Sequence, residues 1–172
     1  MKLEIHITDF LRTGQFGTVK INDSVEAVIK KLGKPDGEHN PEVVKPGRGL
    51  HYSMYEFFFV DNKLESIQND HFDSRHPESM EFENDVFKLN TAFLKADRVK
   101  TMREIESELE KLNIEYKLID YWGRIVIKTI GGVILDFNDE NWSDQTQGSV
   151  KIENLKDVEL IGLRFHQGQS NK

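Results

Sequence analysis

The stretch SVEAVIKKLGKP (residues 24–35), followed by YEFFFV (residues 55–60), decides which kind of fold this chain adopts. Apolar residues recur in the first segment at the i, i+3, i+4 and i+7 spacing of an amphipathic helix: Val25, Val28, Ile29 and Leu32. Gly33 suits the left-handed position after a helix, and Pro35 cannot continue one. Aromatic residues dominate the second segment, which is typical of a strand. We therefore predict a helix, with Asp23 as its N-cap, and a strand that continues into a hairpin.

A second copy of this pattern follows about 80 residues later in the chain. In TMREIESELEKLN (residues 101–113), Thr101 and Glu104 have the spacing of a capping box, and VILDF (residues 133–137) follows as a strand. Aligning the copies places Leu32 on Leu112. Each helix is too short to be stable alone and must pack on a sheet. The sequence thus predicts an α+β fold of two tandem helix-plus-antiparallel-hairpin repeats, with the helices on one face of an antiparallel sheet.

The boundaries follow from the positions of the two copies. We expect residues 1–75 to form the first repeat, residues 76–95 a linker, and residues 96–172 the second repeat, as one compact domain or two small halves. At the N-terminus, alternation over residues 3–7 predicts a strand, and residues 9–17 read as a turn-rich connection. Residues 38–49, with two prolines and two glycines, are predicted to form a loop.

Composition narrows the classes of function. The 172 residues carry a formal net charge of −7, which argues against nucleic acid, because binding to phosphates needs a basic surface. There is no cysteine, so disulfides, thiolate metal sites and thiol redox chemistry are excluded. The N-terminus lacks the apolar core of a signal peptide, and no segment is long and apolar enough to span a membrane. We expect a cytoplasmic protein without a membrane segment, and we expect no cofactor.

The densest polar cluster offers one candidate for catalysis or metal binding. Its two acids and two imidazoles, within seven residues, are Asp70, His71, Asp73 and His76. Such groups could hold a divalent metal in a small metal-dependent hydrolytic enzyme. A solvated strand end explains the same residues, since no third coordinating segment is indicated by spacing. Two further histidines, His39 and His51, could converge only through folding.

Aromatic residues among acids form a second candidate site, this one for protein contacts. Tryptophan and tyrosine are enriched at the centres of protein interfaces, and acidic groups attract a basic partner. The residues concerned lie in two segments that are expected to be loops: Tyr121, Trp122, Asp139, Glu140, Trp142 and Asp144. A solvated loop and burial under a loop are the alternatives.

Residues 10–72 also resemble a family of small bacterial proteins. The resemblance rests on Gly14-Gln15-Phe16-Gly17, on Leu32-Gly33-Lys34-Pro35 and on the aromatic strand around Glu56-Phe57. Some members look like immunity proteins, which occur beside polymorphic or contact-dependent toxins. The helix, its Leu-Gly-x-Pro end and the hairpin are also similar to the module used twice in beta-lactamase inhibitor protein, and once in small lipoproteins of outer-membrane barrel assembly.

The resemblance implies a protein binder and supplies no catalytic residues. Together with the acidic charge, it suggests a non-enzymatic cytoplasmic protein that binds a protein partner, such as a basic toxin domain, through an acidic face. The oligomeric state is left open. The metal-dependent hydrolytic enzyme is the alternative hypothesis.

Overall fold

A computed structural model of the chain describes residues 2–40, 47–72, 79–91, 94, 100–138 and 157–166. These residues form an α+β fold with three helices and ten strands. In chain order the elements are β1 (Leu3–His6), α1 (Ile7–Thr13), α2 (Val25–Leu32), β2 (Gly37–His39), β3 (Gly47–Tyr52), β4 (Tyr55–Val60), β5 (Lys63–Asn69), β6 (Phe87–Asn90), α3 (Met102–Lys111), β7 (Tyr116–Tyr121), β8 (Arg124–Thr129), β9 (Ile134–Phe137) and β10 (Leu160–His166).

The two helices predicted from their apolar spacing are present, but the first is capped by a different residue. Ser24, and not Asp23, is the N-cap of α2, and its hydroxyl accepts a hydrogen bond from the Ala27 amide. Asp23 lies one residue too early for this role and forms an ion pair of 2.6 Å with Lys31. The capping box of α3, between Thr101 and Glu104, is confirmed.

A third helix, α1, lies where we expected the end of a strand and a turn. Ile7, Phe10 and Leu11 share its buried face at helical spacing. The helix ends at Gly14, whose φ of 69° is left-handed and where an added Cβ would lie 2.5 Å from the Gly131 carbonyl oxygen. Because α1 is only seven residues long, its apolar residues do not distinguish helical spacing from the alternation of a strand.

The main sheet has eight strands in the order β2-β3-β4-β5-β10-β9-β8-β7. All of its strand pairs are antiparallel, which confirms the large antiparallel sheet. The strands of residues 37–69 thus lie beside those of residues 116–166, and β5 and β10 join them at the centre. The predicted loop over residues 38–49 is wrong in part. Its first two residues belong to β2, and its last three belong to β3.

Part of the expected linker over residues 76–95 is also folded. Within it, β6 pairs in parallel with β1 in a separate two-stranded sheet, and Phe87 and Leu89 are buried. Parallel pairing of strands so far apart in sequence leaves no local signature, since it depends on tertiary contacts alone.

One hydrophobic cluster contains buried residues from all three helices and from alternate positions of the main sheet, and it forms the core. Phe10 of α1 makes edge-to-face contacts with Phe16 and with Phe165 of β10. The finer expectation, two equivalent repeats with their helices on one face of the sheet, stays a prediction. Among the described residues, none of the helices has the length and apolar character needed to cross a bilayer.

Candidate functional site

The candidate site lies on the face of the main sheet that points away from the core. We call it the open face. One line of paired residues crosses all eight strands on this face, because directly paired residues in a sheet point to the same side. Its members, from one edge of the sheet to the other, are Gly37, His51, Glu56, Gln68, Arg164, Ile134, Lys128 and Lys117. Seven of these eight residues carry a side chain, and six of those side chains are polar.

At one end of the open face a carboxylate and two imidazoles form a chain of contacts. Glu56 Oε1 lies 2.8 Å from His39 Nε2, and His39 Nδ1 lies 2.8 Å from His51 Nε2. Gln68 donates a hydrogen bond of 2.9 Å to the other oxygen of Glu56. The residues come from four adjacent strands, β2 to β5, so the sheet register holds them together. We call Glu56, His39 and His51 the histidine cluster.

Gly49 makes room for this arrangement. It pairs with His39 across β2 and β3, and the imidazole ring lies directly over its Cα. A Cβ added to Gly49 would come within 2.1 Å of the His39 ring. The ring can therefore reach both neighbours only because this strand position has no side chain.

The polar cluster that we considered from sequence as an alternative metal site is only partly described. Asp73 and His76 lie outside the described residues. Asp70 and His71 line a cavity of about 170 Å³ together with His51 and Glu56. Among the described residues, the group with the spacing of a metal site is the histidine cluster, whose ligand atoms lie within 4.8 Å of one another, and it contains neither Asp70 nor His71.

Asp70 instead belongs to a charged network at the centre of the sheet. Arg164 Nη2 donates a hydrogen bond of 3.2 Å to Asp70, and Arg164 Nε lies 2.5 Å from Asp136 Oδ2. The second contact is an ion pair by distance, since none of the described residues is in hydrogen-bonding geometry with either Asp136 oxygen. Asp136 is fully buried, and burial raises the pKa of its carboxyl, although the charges of Arg164 and Arg124 oppose the rise.

The aromatic pair predicted from sequence lies at the other end of the open face. Tyr121 ends β7, and Trp122 occupies the turn to β8 with a φ of 55°. Their rings are stacked with centroids 5.7 Å apart, yet Tyr121 is buried while Trp122 is 77% exposed. The Tyr121 hydroxyl contacts His166 Nε2 at 3.4 Å. Burial, together with the nearby charge of Arg164, lowers the pKa of His166.

A small apolar cluster surrounds this pair. Tyr121, Val126 and Ile134 are its buried members, and Ile119 packs against them. It is separate from the main core and lies on the open face beside the charged network, where its three buried members are almost fully covered. The other predicted contact residues, Asp139, Glu140, Trp142 and Asp144, lie outside the described residues.

Sequence reasoning selected Tyr121, Trp122, Asp70 and His71 as candidates, but it did not place Glu56, Arg164 and Asp136 on one surface. Period-two alternation along β4, β9 and β10 could have placed these three on the same side of their strands. The order of the strands, which brings them together, was not readable from that alternation. Comparison of the chain with protein-family models, with curated proteins and with solved structures found no match.

Proposed function

We propose that this chain is a non-enzymatic, intracellular protein-binding module, an immunity protein that neutralises a cognate bacterial toxin by covering its surface. In this proposal the two helix-plus-hairpin repeats form one scaffold. Their helices bury one side of the sheet and leave the open face for the partner.

The observation that carries the proposal is the exposed ring of Trp122. Its φ is left-handed, which is an unusual backbone conformation for a bulky residue. One face of the Trp122 ring stacks on the ring of Tyr121. A large aromatic side chain that is stacked on one neighbour and 77% exposed is a strong candidate for a binding anchor.

The surroundings of Trp122 supply the other parts of a protein interface. The buried apolar cluster under Tyr121 provides a packed base for the ring, and the partly exposed Arg164 and Asp70 provide polar groups nearby. The acidic part of the surface that we predicted from sequence, over residues 139–144, would add attraction for a basic toxin.

In-cell crosslinking tests the proposal directly. We would replace Trp122 with a photoreactive phenylalanine analogue in the native host, irradiate, and identify the crosslinked protein by mass spectrometry. Lys30, an exposed residue of α2, is the matched control position. We expect one protein to be crosslinked from position 122 and not from position 30.

The captured protein is then expressed alone and together with this chain. We expect the protein to arrest growth alone, co-expression of the wild type to relieve the arrest, and Trp122→Ala to relieve it at least tenfold less well. A captured protein without toxicity, or full protection by Trp122→Ala, would refute the proposed function.

A further inference from the structure

The histidine cluster has the chemistry of a metal site that the sequence alone did not indicate. We propose that His39 and His51 bind a divalent transition-metal ion of the Zn²⁺ class. The ion lies between His39 Nδ1 and His51 Nε2, while Glu56 holds the other nitrogen of His39. Neither the alternative metal site around Asp70 nor the proposed toxin binding is needed for this inference.

The proton positions in the cluster leave the required nitrogens facing each other. A carboxylate only accepts hydrogen bonds, so the short contact with Glu56 places a proton on His39 Nε2. In the neutral ring, Nδ1 is then bare and accepts from Nε2–H of His51, 2.8 Å away. A metal ion that binds between the rings takes His39 Nδ1 and His51 Nε2 as ligands once the single proton of His51 has moved from Nε2 to Nδ1, so both rings stay neutral imidazoles.

The geometry needs only a small adjustment to hold the ion. Two nitrogens bound to Zn²⁺ at about 2.1 Å in a tetrahedral site lie about 3.4 Å apart. His39 and His51 therefore have to separate by about 0.6 Å, and the His39 side chain, 38% exposed at the edge of the sheet, is free enough to do so. His51 also lines the neighbouring cavity of about 170 Å³, which can supply water molecules for the remaining coordination positions.

Glu56 and Gln68 form the support that metal-binding histidines usually have. A carboxylate that accepts from the far nitrogen of a ligating imidazole fixes the tautomer and the ring orientation. Glu56 does this for His39, and the amide of Gln68 orients Glu56 in turn. The negative charge of Glu56 also lies close enough to offset the charge of the ion, because the cluster's ligand atoms are within 4.8 Å of one another.

Imidazole nitrogens with carboxylate support favour Zn²⁺, Ni²⁺ and Cu²⁺ over Mg²⁺ and Ca²⁺, which prefer oxygen ligands. The ion would join the edge strand β2, only three residues long, to β3. We therefore expect a structural role for the metal, in which it holds the edge of the sheet in place.

The test is a titration of the tag-free full-length chain with ZnCl₂, followed by calorimetry and by the thermal unfolding midpoint. We expect about one equivalent to bind and the midpoint to rise with Zn²⁺ concentration. His39→Ala and His51→Ala should each lower the affinity at least tenfold and remove the rise. His6→Ala is the matched control, since this partly exposed histidine of β1 lies outside the cluster and should leave binding unchanged.

Substitution of Glu56, which supports His39, should weaken Zn²⁺ binding without abolishing it. Glu56→Gln should weaken binding by about 10- to 100-fold without removing it, as expected for a group that orients a ligand. If the wild type binds no Zn²⁺, or if the His39 and His51 variants bind it as tightly as the wild type, the inference is overturned.

A second measurement protects the test against a variant that fails to fold. Co²⁺ is added to the wild type, and its visible absorption reports the coordination number and the type of ligand. Bands of a nitrogen- and oxygen-ligated ion at one equivalent support the site, and the spectrum of hexaaqua Co²⁺ alone overturns it.

Discussion

Loss of the Arg164 charge should destabilise the protein more than loss of the Asp136 charge, although the two form one ion pair. Asp136 is completely buried, whereas the Arg164 side chain keeps 21% of its surface exposed and has a second partner in Asp70. Arg164→Met therefore leaves a buried carboxylate without its main counter-charge. Asp136→Asn leaves an arginine that is still paired and partly hydrated.

The magnitudes follow from these differences. Breaking a buried ion pair by removing one partner costs about 3–5 kcal/mol of unfolding free energy. We expect the lower end, about 3 kcal/mol, for Arg164→Met, because the nearby charge of Arg124 still acts on Asp136. For Asp136→Asn we expect a smaller loss, at most about 1 kcal/mol, because Arg164 keeps its ion pair with Asp70 and stays partly hydrated.

The free energy of unfolding should also depend on pH through the protonation of Asp136. Burial raises the pKa of Asp136 above its ordinary value of 3.8, so the folded state keeps this proton to a higher pH than the unfolded chain. The stability contributed by Asp136 is thus present below pH 3.8 and is lost as the pH rises through the folded pKa. Removal of the Arg164 charge raises this pKa further, so the destabilisation by Arg164→Met should shrink as the pH is lowered and Asp136 is protonated.

Urea unfolding followed by circular dichroism measures both effects, at pH 7.5 and at pH 4.5. The double variant, with both substitutions, should lose less stability than the sum of the single variants, since it contains neither an unpaired carboxylate nor the pair. Equal losses for the two single variants, or a loss for Arg164→Met that does not change with pH, would refute the reasoning.

Three further predictions concern other parts of the structure. The pKa of His166 is lowered by burial and by the charge of Arg164, so its contribution to stability is present above pH 6.5 and is lost as the pH falls through the folded pKa. His166→Gln should reduce the loss of stability between pH 7.5 and pH 5.5 in urea unfolding, and an unchanged loss would contradict this. Ser24→Ala should lower the free energy of unfolding by about 1 kcal/mol, because the cap on the Ala27 amide is removed; an unchanged urea midpoint would show that Ser24 does not cap α2. Gly49→Ala should keep the fold by circular dichroism but lower the Zn²⁺ affinity at least tenfold in calorimetry, since its methyl group displaces the His39 ring. If Gly49→Ala binds Zn²⁺ as tightly as the wild type, the position of the His39 ring over Gly49 is not required for metal binding.

Local patterns predicted a good part of the secondary structure. The apolar spacing of α2, the capping box of α3 and the aromatic run of β4 each lie within about a dozen residues, so a single segment carries the whole signal. The same methods failed for α1, for β2 and for β3. The first is too short for a clear period, and the other two contain or follow glycines and prolines that indicate a loop.

In the candidate site, too, local patterns predicted some residues, while contacts between distant segments were not predictable. The sequence offered Tyr121 and Trp122 as aromatic residues among acids in expected loops, and Asp70 as part of a dense cluster of acids and histidines. The contact between Arg164 and Asp70 joins residues 94 positions apart, and nothing near either residue predicts it. His39 and His51 likewise meet only because β2 and β3 pair in one particular register.

The sequence by itself determined the class of the fold, its two main helices and the absence of any thiol chemistry, because these depend on composition and on neighbours along the chain. Only the tertiary structure decided that β5 pairs with β10, which joins the two sets of strands into one eight-stranded sheet. Helix spacing and caps are short-range properties. The pairing of distant strands depends on which register buries the most apolar surface, and that is a property of the whole folded chain.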